Sequence, residues 1–178
     1  MKKGTILRVI NLGIIGLVFA GGVSAQKDQK IITDAAEAKA EFIQVDALLA
    51  NLFSTAHGYV IFPNVGKGGI GIGGAAGNGV VYEGGVLVGT AKLRQVSIGF
   101  QWGGQAYREV IFFETKNDMD HFKENKLEFS AQASAVAVTA GASANVSYRD
   151  GVIIFTQQKG GLMYEASVGG QKFRFRPS

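Results

Sequence analysis

The sequence contains no cysteine, only two prolines and only two histidines among 178 residues. The absence of cysteine excludes disulfides, thiolate metal ligands, a thiol nucleophile and a lipidated N-terminal cysteine. No cluster of histidines and carboxylates has ligand spacing, so we expect neither a metal nor a cofactor. His57 and His121 are the only strong candidates for a base at neutral pH, and neither belongs to a nucleophile motif. We therefore expect a protein that is not an enzyme.

Long apolar runs are also missing, since none reaches the about 20 residues that a membrane-spanning helix needs. The N-terminus instead has a basic segment at residues 2–8, a mostly apolar segment at residues 9–20, and small residues at Val23-Ser24-Ala25. This order is typical of a secretory signal peptide. We expect cleavage to remove residues 1–25 and to leave a single domain, residues 26–178, that is periplasmic or secreted.

The positive charge of the chain lies largely in this signal segment. Removing it takes away three of the eighteen Lys and Arg residues and none of the fourteen Asp and Glu residues, which leaves a formal charge of +1. A nucleic-acid-binding domain is expected to be strongly basic or to carry a concentrated basic stripe. The composition therefore predicts no nucleic-acid partner.

Glycine is abundant, with 26 residues, and the segment Asn64–Gly79 contains the pattern G-x-G-x-x-G at Gly69, Gly71 and Gly74. A dinucleotide site needs a helix after such glycines, but the following sequence has short apolar runs broken by glycine pairs. A phosphate loop fails too, because Lys67 is followed by glycine and not by Ser or Thr. We expect no nucleotide partner, and we interpret the segment as a strand whose bare face allows another backbone or a ligand to approach closely.

Two segments have helical patterns. Apolar residues recur at spacings of three and four in residues 31–56, with Thr33 as a candidate cap and His57-Gly58 as the end. Thr115 and Asp118 form a capping-box pattern that opens a short helix ending near Asn125.

The rest of the chain has β patterns. Residues 92–104 alternate cleanly, and the alanine-rich residues 129–148 are interpreted as a strand. Turns at residues 149–151, 159–161 and 169–170 indicate an antiparallel meander at the C-terminus. We predict an α+β, β-rich fold, namely an antiparallel meander sheet or partly closed barrel packed against an N-terminal helix and one short internal helix.

The last strand places three cations on one face and two phenylalanines on the other, at a spacing of about 7 Å along the strand. One interpretation is a solvated edge that protects the terminal strand from aggregation. The other is contact with anionic lipid head groups, to which basic residues from the glycine segment and the long alternating strand could contribute. The candidate lipid-binding residues are Lys67, Lys92, Arg94, Lys172, Arg174 and Arg176.

Four long motifs, in this order, resemble the bacterial branch of the SYLF domain family: "HGYVIFPNVGKGGIGIGGAAGNGVVYEGG", "QVSIGFQWGGQAYREVIFFE", "FSAQASAVAVTAGASA" and "GGLMYEASVGGQKFRF". The resemblance covers nearly all of residues 33–176 and implies a lipid-binding domain without enzymatic activity. Eukaryotic relatives bind phosphoinositide membranes, and some bind actin. Of these properties, the resemblance implies only the capacity to bind anionic lipid for this sequence. Lys67 falls in the glycine motif and Lys172 in the C-terminal motif.

The first functional hypothesis is therefore an exported, non-enzymatic module that contacts anionic phospholipid. Two alternatives remain open at this stage. The strand count and scattered aromatic residues permit a small outer-membrane β-barrel, although strands that are apolar on both faces favour a dry two-layer core. Exposed strand edges would also suit a structural or assembly protein of the envelope.

Overall fold

The computed structural model describes residues 19–68, 72–98, 105–130, 133–159 and 166–178. Within these ranges the helices are α1 (Phe19–Val45), α2 (Leu49–Thr55), α3 (Lys116–Lys123) and a 3₁₀ helix (Ala142–Asn145). The strands are β1 (Gly58–Gly68), β2 (Ile72–Glu83), β3 (Val86–Ile98), β4 (Gln105–Phe113), β5 (Ser134–Ala137), β6 (Val152–Gln158), β7 (Ala166–Ser167) and β8 (Gln171–Pro177). No helix in the described part of the chain is long and apolar enough to cross a membrane.

The strands form one mixed sheet in the order β7-β5-β6-β4-β1-β2-β3-β8. All neighbouring pairs are antiparallel except β5 and β6, which run parallel. The sheet is not closed, although its two edge strands, β7 and β8, are consecutive in the chain. Residues 168–170 connect them, and the bridge between Glu128 and Lys172 links the segment before β5 to β8.

Apolar side chains cover both faces of the central strands. In β4, Val110 and Phe112 pack in one cluster with α1 and α2, whereas Ile111 and Phe113 pack in a second cluster with α3. Side chains alternate between the two faces of a strand, so an uninterrupted apolar run indicates burial on both sides. The predicted α+β, β-rich class with helices as further layers is confirmed.

The N-terminal helical segment differs in detail from the prediction. Thr33 is not a cap, because it lies inside α1 and its hydroxyl donates to the Gln29 carbonyl at 3.2 Å. The single predicted helix is also divided at Asp46, whose carboxylate accepts hydrogen bonds from the backbone of Leu48 and of Ser143. An aspartate that binds nearby backbone amides competes with helical hydrogen bonds, which explains the break.

The short internal helix agrees with its sequence signal. Thr115 is the N-cap of α3, its hydroxyl accepts from the Asp118 amide, and the Asp118 carboxylate accepts from the Thr115 amide. Met119 and Phe122 on the same helix are buried. The predicted capping box is confirmed because both of its parts are local in sequence.

The prediction of a C-terminal meander is wrong. In residues 129–130 and 133–148 the structure has only the short β5 and the 3₁₀ helix, since Gly141 has a φ of 75° in the left-handed region and interrupts the strand. β5 pairs with β6 in parallel, and β8 pairs with β3 rather than with its chain neighbour. Residues 160–165, which include most of the predicted turn at 159–161, lie outside the described residues.

The described residues of the glycine segment lie in β1 and β2, which pair antiparallel, so the strand prediction is confirmed for these residues. Gly69 and Gly71 lie outside the described residues. Gly79 shows why a bare position is needed, because a Cβ there would lie 2.6 Å from the Phe62 ring and 2.8 Å from the Ile61 carbonyl oxygen. Glycine thus lets the two strands approach at this point.

Candidate functional site

The pairing of β3 with β8 brings basic residues from two distant parts of the chain onto one exposed face. Lys92 lies opposite Arg174, and Arg94 lies opposite Lys172, while Arg176 lies opposite Thr90. All five cations are exposed. We call this set the basic ladder; its members are Lys92, Arg94, Lys172, Arg174 and Arg176.

Alternation along both strands produces the basic ladder. On β3, Ala91 and Leu93 are buried on one face, and on β8, Gln171 and Phe173 are buried on the same face. Because successive side chains point to opposite faces, the intervening basic residues are directed outwards. The apolar positions therefore hold the two strands in register and set the positions of the charges.

Like charges directly opposite each other on neighbouring strands destabilise a sheet. Two members of the basic ladder have acidic partners: Lys172 Nζ lies 3.2 Å from Glu128 Oε1, and Arg176 Nη2 lies 3.4 Å from Asp28 Oδ2.

The other three members, Lys92, Arg94 and Arg174, form no ion pair with any described residue. The basic ladder therefore keeps an excess of positive charge, which produces a local positive potential on this face.

Lys67, the sixth candidate, is separated from the basic ladder in the strand register. Its backbone partners are Ala75 on β2 and Gln105 on β4, whereas Arg94 lies opposite Ala76. Lys67 therefore lies in the cross-strand row next to the one that contains Arg94, one residue away along β2. Of the six sequence-derived candidates, the structure brings five together.

The two histidines occupy different settings. His57 Nε2 lies 3.1 Å from Glu83 Oε1, and Lys123 Nζ donates to Glu83 Oε2 at 2.9 Å. The hydrogen bond from Lys123 holds the pKa of Glu83 below its ordinary value. This network ties α3 to the end of β2, whereas His121 is exposed on α3.

A polar groove of about 280 Å³ lies between α1 and the sheet. Its lining includes Arg108, whose guanidinium is 2.6 Å from the Glu41 carboxylate, and Lys30, whose ammonium is 2.8 Å from the Asp34 carboxylate. Charges of both signs are already paired in this groove, so it has less net attraction for an anion than the basic ladder has.

A buried polar cluster was missed in the sequence. Glu109 and Gln171 are fully buried, with Gln171 Nε2 donating to Glu109 Oε2 at 2.9 Å, and the Tyr107 hydroxyl lies 3.4 Å from the same amide nitrogen. Burial raises the pKa of Glu109 to about 8, and burial also raises the pKa of Tyr107. The signal was present in β4, where alternation puts Glu109 on the same face as buried Ile111.

The fold and the exposed charges define a β-rich α+β domain whose basic face is built on a sheet. Residues 94–178 match the Ysc84 family, described as "Las17-binding protein actin regulator". This match confirms the SYLF resemblance over that part of the chain, which contains four of the five residues of the basic ladder. It supports a domain of the lipid-binding type. No curated protein matches the chain.

Proposed function

We propose that this chain is an exported, non-enzymatic module that binds anionic phospholipid membranes through the basic ladder. The observation that carries the proposal is the grouping of five exposed cations on two paired strands, of which Lys92, Arg94 and Arg174 have no acidic partner in the described residues. A sheet that keeps like charges opposite each other loses stability. An anionic surface would offset that loss.

Protection of the sheet edge does not account for the whole basic ladder. β8 is an edge strand, so its charges fit that explanation. Lys92 and Arg94, however, lie on β3, which is paired on both sides with β2 and β8. A strand that has neighbours on both sides needs no charges against edge-to-edge aggregation.

The shape of the basic face favours a lipid surface over a single small ligand. The cations are spread over two strands, about 7 Å apart along each strand and about 5 Å apart across the pair. All five are exposed on the sheet. An array of head groups presents many phosphates at once, and each basic residue near such a surface contributes about 1 kcal/mol.

Export belongs to the same proposal. The predicted cleavage after Ala25 would leave every residue of the basic ladder in the released domain. It would also retain Asp28, the acidic partner of Arg176.

The test uses the released domain and vesicles of phosphatidylcholine with and without phosphatidylglycerol. Replacing Lys92→Gln together with Arg174→Gln should weaken binding to anionic vesicles about 30-fold, because two contributions of about 1 kcal/mol are removed. Lys116→Gln with Lys126→Gln changes the net charge equally at exposed positions on and after α3. This control should bind almost as well as the wild type.

Co-sedimentation at low salt gives the decisive comparison. Rising salt should weaken binding of the wild type, since exposed charges are screened over about 8 Å at physiological ionic strength. Equal losses in the two double variants would contradict a specific role for the basic ladder. If the wild type retained an acidic protein but did not bind vesicles, the result would contradict lipid as the partner and would indicate a protein partner.

A further inference from the structure

An exposed apolar residue continues the basic ladder on β3. Val96 follows Lys92 and Arg94 at the same alternation, and 72% of its surface is exposed. On one side, Val96 pairs with Gly74 of β2. On the other side lies Gly170, where an added Cβ would be 3.4 Å from the Val96 carbonyl oxygen. Neither neighbour has a side chain that could cover the valine, so the ladder ends in an uncovered apolar group.

The opposite end of the same strand provides a natural comparison. Val86 is the first residue of β3 and is 66% exposed, but its partner on β2 is Glu83, which carries a carboxylate. The two valines are ten positions apart in the sequence, which is about 30 Å along a strand. β3 thus has an exposed valine beside cations at one end and an exposed valine beside an anion at the other.

We infer that the domain binds the membrane in one orientation, with the Val96 end of β3 entering the interfacial region and the Val86 end remaining in water. This inference rests on the proposed function and adds the direction of approach. Anionic head groups attract Arg94 and Lys172 beside Val96, whereas Glu83 beside Val86 is already paired with Lys123 and offers the head groups no free cation. Charge therefore decides which of two similar apolar groups meets the bilayer.

Apolar and basic groups support each other in this position. Burying a valine side chain between the head groups and the acyl chains is favourable, while the long side chains of Arg94 and Lys172 can keep their charges at the level of the phosphates. Amphipathic surfaces that bind membranes combine these two contributions in the same way. The occupant of this end of the sheet is therefore an anionic bilayer.

The absence of cysteine allows a direct test. The variants Val96→Cys and Val86→Cys are each labelled with an environment-sensitive fluorophore and mixed with vesicles of phosphatidylcholine and phosphatidylglycerol. We expect a blue shift and a rise in intensity for the label at 96, and no change for the label at 86. Co-sedimentation of the same samples shows whether the protein is bound.

Each outcome bears on the inference. Bound protein with no change at 96, or with equal changes at both positions, would overturn the orientation while leaving the proposed function intact. No binding of either labelled protein or of the unlabelled wild type would overturn both. Binding of both labelled proteins, with the blue shift confined to the label at position 96, supports the orientation and the proposed function.

A second pair of variants measures the apolar contribution without a label. Val96→Ser should weaken vesicle binding about tenfold, because most of the transfer of one valine side chain is lost. Val86→Ser should leave binding unchanged. Both positions are exposed, so the thermal unfolding midpoints of the two variants should stay close to that of the wild type. Equal binding of the two serine variants would overturn the orientation.

Discussion

Glu109 gives the sharpest prediction about stability, because its carboxyl group is fully buried and forms no ion pair with any residue that the structure describes. One oxygen accepts from Gln171 Nε2 at 2.9 Å, and the other has no hydrogen-bond partner in the described structure. The Tyr107 hydroxyl is the remaining polar group beside that amide. Burial raises the pKa of Glu109 from its ordinary value of 4.5 to about 8. The folded chain therefore keeps a proton that the unfolded chain releases.

The direction of the pH dependence follows from this difference. Between about pH 4.5 and about pH 8 the folded state binds more protons than the unfolded state, so stability is full at the lower pH and falls as pH rises. Each pH unit in this window costs about 1.4 kcal/mol. The total loss by pH 8 is about 5 kcal/mol on this basis.

The variant Glu109→Gln removes the titrating group and keeps nearly the same shape. Its advantage over the wild type should increase as pH rises through the window and should level off above about pH 8. Gln171 Oε1 belongs to the same cluster and has no partner in the described residues, so an acceptor is available for the new amide.

Urea unfolding, followed by the fluorescence of the single tryptophan, measures the free energy of unfolding of both proteins across this pH range. Glu114→Gln changes an exposed carboxylate just after the same strand and serves as the control. A difference between Glu109→Gln and wild type that does not depend on pH would refute the reasoning, as would an equal advantage for Glu114→Gln.

Three further predictions follow from local features. Gly79→Ala should lower the free energy of unfolding by about 1–3 kcal/mol, because a Cβ would press on Phe62. Gly66→Ala has open space around the new Cβ and should change the free energy of unfolding little. Equal destabilisation of the two variants in denaturant melts would contradict this prediction. Thr115→Ala should cost about 1 kcal/mol through loss of the N-cap, and a melting midpoint equal to that of the wild type would show that the cap does not matter. N-terminal sequencing of the exported protein should begin at Gln26, and a product that retains Met1 would oppose cleavage.

Sequence patterns predicted the features of this fold whose determinants are close together in the chain. The capping box at Thr115 needs only residues three positions apart, and the β1–β2 hairpin joins adjacent segments. Alternation along β8 likewise predicted that Arg174 would share a face with its basic neighbours on that strand. In each case one short segment contains all the information.

Features that depend on distant segments were not predictable in the same way. Nothing within β5 indicates that it pairs in parallel with β6, and nothing within β8 indicates that its partner is β3. The convergence of Lys92 with Arg174 therefore appeared only in the structure. Glu109 is an intermediate case, since alternation placed it on an apolar face but its partner Gln171 comes from the other end of the chain.

The pairing of β3 with β8 has a consequence for the order of events during folding. About 80 residues separate Lys92 from Arg174, so the loop between them must close before the two rows of charge meet. β8 also follows every other described strand in the sequence, so it is synthesised after its partner β3. An unfolded or truncated chain offers only two or three neighbouring cations at a time, so strong attraction to an anionic surface should arise only when the final strand has docked. Membrane affinity would then report that β8 has paired with β3.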